Sequence, residues 1–447
     1  MSNSASMSEK AGLSEKLALG GAQFASCFLP AFLAYHLMWF CTDVALLPPS
    51  ATCFLMILPR LVGACYDSVL GLFMNRMQFK DGKYRPYFKW CAIPFAISLS
   101  LLCFMPTSSL TGKIAFIAVM LLASEFFGAA MVTATYSMIP YVAKSDVDRT
   151  KFVSFCVACG ILSFIVVGSF FLPMVNYLGN GDKGTGMPLT LALFSLISIP
   201  LHFNAYFFLR ERHYSVPTTK PTLRDLVTTI AQNRRLMLFF AGYGIYSMAN
   251  GFKSQTTYYY VTYNLGLPKL LPFVIFAGLV APLVMQPVIP RLLALARKET
   301  LIAIGLFGAS ASSCLMLLVG RHPVALIACV VLYGLFTAMT ANLAFALMAS
   351  FSDEIKERNN FQMSDILSAT MRFGDRVGIA VAGGIGALVL GICGYVAPAT
   401  GQAVVELATE QSATSLAGIK ALYIHCTAAG LIVAGLTMLK LRNSGRC

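Results

Sequence analysis

Twelve apolar stretches of membrane-spanning length punctuate the 447-residue chain, and no other feature limits its fold so tightly. Six lie near residues 17–42, 51–74, 87–108, 113–142, 151–178 and 188–209. Six more follow a polar interval at 210–235, near 236–263, 269–293, 299–320, 323–350, 362–394 and 416–441. A spanning helix takes about 20 apolar residues, because lipid offers the backbone no hydrogen-bond partner. Charged residues make up 12% of the chain, about half the share usual in soluble domains. A soluble enzyme, a disordered chain and a nucleic-acid-binding protein are excluded, despite the net charge of +14. The first stretch is too long for a cleaved signal peptide and follows a polar head of 16 residues.

The basic residues set the sidedness. Twenty-four of the 33 fall in the two tails and in alternate loops, including Arg76, Lys83, Arg85, Arg149, Arg210, Arg235, Arg297 and Arg358. The opposite loops hold four: Lys113, Lys183, Lys269 and Arg321. Basic loops stay in the cytoplasm. Both termini and the central loop are therefore expected there, in a multi-pass protein of the cell (inner) membrane. The domains read as a tail at 1–16, a six-helix bundle at 17–209, the loop 210–235, a second bundle at 236–441 and a tail at 442–447. Within the loop, residues 222–232 place Leu223, Leu226, Val227 and Ile230 on one face, which predicts an amphipathic surface helix.

Ionisable residues inside spans are costly, so each is a candidate for function. Arg60 and Asp67 lie seven residues apart on the second span, on one face and about 10 Å apart along the axis. Each needs a partner on another helix. Glu125 of the fourth span lies at a depth similar to that of Arg60, so an Arg60–Glu125 pair is expected, either as a fastener or as part of a coupling site. Asp67 or Glu125 is the candidate cation or proton carrier. Lys253, flanked by Asn250, Ser254, Gln255 and Thr256, suggests a wet cavity in the second half. In the eleventh span Arg372 and Asp375 are spaced to pair, leaving Arg376 for an anionic group. The alternative is a charge network closing a cytoplasmic gate. His36, His202 and His425 read as hydrogen-bonded helix residues. The cysteines act as small apolar groups, including those of Cys156-Val-Ala-Cys159. No metal-ligand spacing, phosphate loop or nucleophile elbow is present, so neither catalytic residues nor a cofactor is expected.

Several of these residues recur in a known pattern. Glu15-Lys16-Leu17 with Gly20 and Phe24, Thr42-Asp43-Val44, Arg60 and Asp67 with Gly71, and Gly82-Lys83-Tyr84-Arg85-Pro86-Tyr87 align without a gap over about 70 residues. In these the chain resembles the glycoside–pentoside–hexuronide:cation symporters (melibiose permease-like), a branch of the major facilitator superfamily. Pro140, Arg149 and Asp375-Arg376-Val-Gly378 fit more loosely. The resemblance implies twelve helices in two six-helix bundles, a solute site between them, and alternating access by rocking of one bundle against the other.

The departures from the pattern are informative. Sodium-coupled members carry two aspartates on the second span, an Asn between them and a Thr on the fourth. Here the first Asp is Gly63, the Asn is Tyr66 and the Thr is Ala129, while Asp67 is kept. One carboxylate is a poor Na⁺ site, since a hard cation wants several oxygens. Proton coupling is expected, with Glu125 as the relocated acid; sodium, uniport and exchange stay open. The sugar-binding acids of the first and fourth spans fall at Cys27 and Val132, the Trp at Tyr136 and the fifth-span Arg at Val157.

A small solute less polar than a simple sugar, aromatic or anionic, follows as the expectation. Its candidate ligands are Gln23, Cys27, Tyr66, Tyr136, Lys253 and Arg376. Arg60, Arg76, Lys83, Arg85, Arg372 and Asp375 form the candidate charge network or gate. The expected partners are the solute, the coupling cation and membrane lipids, with no nucleic acid, and the expected state is a monomer. A sodium-coupled glycoside symporter, a lysolipid carrier and a non-transporting receptor or scaffold are the rival readings.

Overall fold

The computed structural model describes residues 12–77, 79, 81–104, 109–143, 146–212, 233–285, 288–320, 322–359, 364–397 and 411–443. The expected surface helix at 222–232 and the side chains of Asp67 and Arg76 lie outside this description.

The chain passes back and forth twelve times. The first span is built from Leu13–Ser26, Phe28–Tyr35, Leu37–Trp39 and a wide π turn at Phe40–Val44. Pro30 has no N–H to give to the carbonyl one turn back, and the helix breaks at Cys27. Pro49–Arg76 is the second span, and Arg85–Trp90 with Ala92–Leu101 the third. Leu110–Val142, Asp146–Leu178 and Lys183–Phe208 complete the first half.

The seventh span is Arg234–Tyr259 with a second π turn, Tyr260–Asn264. Leu271–Met285, Lys298–Val319, Pro323–Asn359 and Ser364–Ile392 follow. The twelfth joins Ala413–Lys420, Ala421–Cys426 and Thr427–Asn443. Ten of the helices among the described residues are long and apolar enough to cross a membrane. The third span falls short because it is cut at Cys91, and the seventh because Lys253, Asn250 and Gln255 make it polar.

The two halves repeat each other. Phe40-Cys-Thr-Asp-Val-Ala-Leu-Leu-Pro48 and Tyr260-Val-Thr-Tyr-Asn-Leu-Gly-Leu-Pro268 end the first and seventh spans with matching backbones. In the first, Ala45 N–H donates to the Phe40 carbonyl and Leu47 N–H to the Cys41 carbonyl (2.8 and 2.9 Å). In the second, Leu265 and Leu267 donate to Tyr260 and Val261 (both 3.1 Å). Leu46 holds φ 52° where its counterpart Gly266 holds 68°; the left-handed turn suits glycine and strains leucine.

Across the midline the second span packs on the eleventh and the fifth on the eighth, the symmetric contacts of two related bundles. Small residues bring the first pair together. A Cβ on Gly383 would stand 2.9 Å from Arg60 Nη1, and one on Gly384 2.8 Å from Ile57 Cγ1. Without a hydrophobic drive inside lipid, such close approach is what holds helices together.

The end of the molecule where the first span begins and the sixth ends is tied within the first bundle. Gly82, at φ 118°, lets the loop after the second span fold around the Glu211 carboxylate. The Lys83, Tyr84 and Arg85 amides donate to Glu211 at 2.8, 2.7 and 3.0 Å. Arg85 Nε donates to the Tyr206 carbonyl, and the guanidinium lies over the Tyr206 ring at 4.8 Å. These contacts of two candidate gate residues fasten the loop to the sixth span of its own bundle. Glu15 pairs with Arg212 at 3.1 Å, joining the start of the first span to the end of the sixth.

Candidate functional site

Gly63, Glu125 and Arg376 each sit within two residues of the centre of their helices. There Arg376 Nη1 of the eleventh span meets Glu125 Oε2 of the fourth at 2.9 Å, an ion pair that bridges the two bundles. Glu125 is 5% exposed. The pair fits because residue 63 has no side chain: a Cβ there would fall on Arg376 Nη1 and within 2.8 Å of Glu125 Oε2. The position where the resemblance places a carboxylate is thus filled by the Arg376 guanidinium and the Glu125 carboxylate. In the Gly63→Ala variant the guanidinium and carboxylate tips, the far ends of flexible side chains, must move aside, so the pair is expected to weaken while overall stability changes by less than about 1 kcal/mol. Helix propensity alone would favour Ala by about 1 kcal/mol. The check is a double-variant cycle in detergent: Glu125→Gln should cost less stability in the Gly63→Ala background than in the parent, and an equal cost in both would refute the contact.

The Arg60–Glu125 pair anticipated from depth is not formed. Arg60, 5% exposed, donates instead to the Leu33 carbonyl (2.5 Å), the Met56 carbonyl (3.2 Å) and Gln255 Oε1 (3.4 Å). Leu33 is available because the first span is broken nearby; Arg376, from the other bundle, supplies the cation that Glu125 needs. Nor does Asp375 pair with Arg372: it accepts a hydrogen bond from Ser247 Oγ at 2.6 Å, and Arg372 is exposed. On this helix Asp375 faces the seventh span and Arg376 the first bundle, because a one-residue step turns the side chain by about 100°.

Lys253 does not line an open cavity. It is 6% exposed and lies over the rings of Tyr423 (4.1 Å) and Tyr333 (4.5 Å). Its Nζ donates to Ser313 Oγ at 3.1 Å and Met316 Sδ at 3.2 Å. Four spans of the second bundle close around it. Cation–π contacts and one hydroxyl stabilise an ammonium that, among the described residues, has no carboxylate within ion-pair distance.

In the first bundle, Gln23 is buried and donates to Cys27 Sγ at 3.3 Å, while its buried Oε1 has no partner among the described residues. Tyr66 is half-buried, edge-on to Phe126 at 5.2 Å. Tyr136 is half-buried against the core. His36 bonds the Val167 carbonyl at 3.0 Å, and His202 bonds Ser26 at 3.0 Å and the Ser198 carbonyl at 2.8 Å. Both are the hydrogen-bonded helix histidines expected; His425 is exposed.

One cluster escapes a reading of residues one at a time. Asp43, 2% exposed, accepts from Tyr395 Oη at 2.8 Å, Tyr263 Oη at 3.1 Å and Thr42 Oγ1 at 2.5 Å. Thr42 also meets Tyr259 Oη at 2.6 Å, and the Tyr395 and Tyr263 hydroxyl oxygens stand 2.9 Å apart. The clasp joins the ends of the first, seventh and eleventh spans at the face remote from the Glu211 loop. Asp43 and Tyr263 are counterparts in the two halves, and comparing Phe40–Pro48 with Tyr260–Pro268 would have found them.

Comparison with known proteins agrees with this architecture. Residues 17–442 match the family described as MFS/sugar transport protein. A putative glycoside/cation symporter, YagG of Escherichia coli K12, is 25% identical over 89% of this chain and 86% of its own. The isoprimeverose transporter of Lactiplantibacillus pentosus is 24% identical over 86% and 81%. Among solved structures, a mutant form of the nucleoside transporter NupG superposes with a TM-score of 0.71 at 12% identity, covering 96% and 99% of the two chains. With the twelve spans, their two-bundle packing and a family match across nearly the whole length, the chain belongs to the MFS/sugar transport protein family and is a multi-pass secondary transporter of the glycoside/cation symporter type.

Proposed function

We propose that the protein is a proton-coupled symporter of a small organic solute less polar than a simple sugar, working by alternating access. The observation that supports this reading best is the Glu125–Arg376 pair at the centre of the bundle interface. Arg376 stands against Glu125 as a tethered cation and fills the space above Gly63, which leaves little role for a sodium ion there. When the bundles part, Arg376 leaves with the second. A carboxylate stranded among apolar helices is costly as an ion, and a proton neutralises it. Glu125 would thereby exchange Arg376 for a proton once per cycle. Asp67, on the same helix as Gly63, is the second carboxylate of this path.

Gln23, Cys27, Tyr66 and Tyr136 are the proposed solute contacts of the first bundle, with Arg376 opposite. Lys253 would act from inside the second bundle rather than from its surface. The Asp43 clasp lies on the extracellular side in this reading, closed while the solute path faces the cytoplasm. The test starts with a thermal-shift screen of sugars, aromatic acids, steroids and lysolipids on the purified protein. Uptake of the stabilising solute into proteoliposomes then follows under an imposed ΔpH or ΔNa⁺. ΔpH should accelerate uptake and ΔNa⁺ should not. In Glu125→Gln the acceleration should vanish while solute exchange persists. Uptake driven by ΔNa⁺, or unchanged ΔpH dependence in that variant, would overturn the reading.

A further inference from the structure

The two halves close corresponding loops in different ways. In the first half the loop between the second and third spans wraps a carboxylate. There the Lys83, Tyr84 and Arg85 amides hold Glu211, just past the end of the sixth span. The corresponding loop of the second half joins the eighth span to the ninth. The twelfth span, which packs on the ninth, ends in Lys440 and Arg442, and the sequence holds no Asp or Glu after Glu410. The end of that span therefore has no carboxylate to place where Glu211 stands in the first half. Two other acids stand near the loop, Glu299 beside Lys298 and Glu354 one turn beyond Ser350. Both reach Arg235, at 3.6 and 3.4 Å.

The loop encloses a shallow hollow of about 550 Å³ lined by Leu293, Ala294, Leu295, Ala296, Arg297 and Lys298. Leu295 is 79% exposed. Arg297 is exposed, as is Arg291 on the short helix Ile289–Leu293. Neither has a carboxylate in ion-pair reach among the described residues. Lys298 is half-buried and fixed by neutral acceptors, the Ala346 carbonyl at 3.1 Å and Ser350 Oγ at 2.5 Å. Cations and a bare leucine thus share one hollow where the ninth span starts, the depth at which lipid headgroups meet water.

We propose that this hollow binds an anionic phospholipid, with its phosphate on Arg291 and Arg297 and the upper part of an acyl chain on Leu293 and Leu295. A guanidinium fork matches phosphate oxygens, and one basic residue beside an anionic lipid surface raises affinity about fivefold. A choline lipid brings an ammonium group that these cations repel, so a net negative headgroup is preferred. A free phosphate ion would satisfy the arginines and leave the leucines in water. The lipid supplies to the second half the anion that Glu211 supplies to the first. The site lies apart from the bundle interface and is independent of the solute and of the coupling ion.

Native mass spectrometry of the full chain, released from detergent, reads the bound lipid directly. Dioleoyl phosphatidylglycerol is compared with dioleoyl phosphatidylcholine, which carries the same chains. The parent should hold the first phosphatidylglycerol about tenfold more tightly than phosphatidylcholine. The double variant Arg291→Gln/Arg297→Gln should lose about tenfold for phosphatidylglycerol. A control, Lys89→Gln/Lys151→Gln, removes two cations from the third and fifth spans of the first bundle and should change that affinity by less than about threefold. Inorganic phosphate in millimolar excess should not displace the lipid. Equal retention of the two lipids, equal losses in the two double variants, or displacement by inorganic phosphate would overturn the proposal.

Discussion

Removing either partner of the Glu125–Arg376 pair should cost more than half of what removing both costs, because Arg376→Gln strands a buried carboxylate and Glu125→Gln takes from Arg376 a counter-ion that faces it across the interface. Glu125→Gln leaves Arg376 facing Arg60 across the interface. Arg376→Gln leaves Glu125, 5% exposed, without its ion-pair partner. Breaking a buried pair from one side costs about 3–5 kcal/mol when both groups are inaccessible. Here the Arg376 side chain is 26% exposed, so about 2 kcal/mol for each single change is the expected scale. The double variant should recover part of it, with an interaction energy of about 1–2 kcal/mol. Reversible unfolding in detergent of the parent, both singles and the double measures the cycle. Additive losses would mean that the two side chains do not interact.

The second large effect is expected at Asp43. Its carboxylate collects three hydroxyl donors, two of them from the second half of the protein. Hydrogen bonds to a charged group contribute about 1.5–3 kcal/mol each. Asp43→Ala removes both cross-bundle bonds and leaves Tyr263 and Tyr395 with one another. The balance between closed and open forms of that face should move by at least about 1.4 kcal/mol, a factor of ten. Cys53 is a suitable reporter: it is half-buried, and a Cβ on Gly384 of the eleventh span would lie 3.2 Å from its Sγ. In a background where Cys53 is the only thiol, alkylation by a membrane-impermeant maleimide should speed up about tenfold with Asp43→Ala. Unchanged alkylation would show that the clasp does not hold the face shut. The Tyr395→Phe variant removes one donor to Asp43 and should give a smaller increase.

How far each of these features could be read in advance follows from the range of the interaction behind it. The twelve passes are visible because each is local: about 20 apolar residues predict a span whatever packs beside it. The third and seventh spans are legible as passes even though Cys91 breaks one and Lys253 makes the other polar. Glu125 is marked as a candidate because an acid in an apolar helix stands out with no partner known. Its partner is not legible. Depth along the axis suggests Arg60, but depth carries no information about rotation, and rotation decides which bundle a side chain faces. The same gap hides the parting of Asp375 from Arg376, neighbours in sequence that point about 100° apart around their helix.

Asp43 shows the opposite case. Its Thr-Asp-Val setting stands out as part of a family pattern, yet its chemistry depends on hydroxyls more than 200 residues away. Gly63 reads only as a missing carboxylate until the eleventh span is in place. Its bare backbone is then the space that lets Arg376 reach Glu125.

The class of the protein is written in its amino acids: a membrane chain of six spans, a basic loop and six more, with a few charges too costly to be accidental. Those conclusions rest on transfer free energies, which act residue by residue. What the charges do emerged with the packing of the helices. Arg376 rather than Arg60 neutralises Glu125, Lys253 is boxed by tyrosines, and Asp43 closes one face. Each of those outcomes depends on which helix faces each group across a few ångströms, and in a low-dielectric interior that choice of neighbour sets the energy.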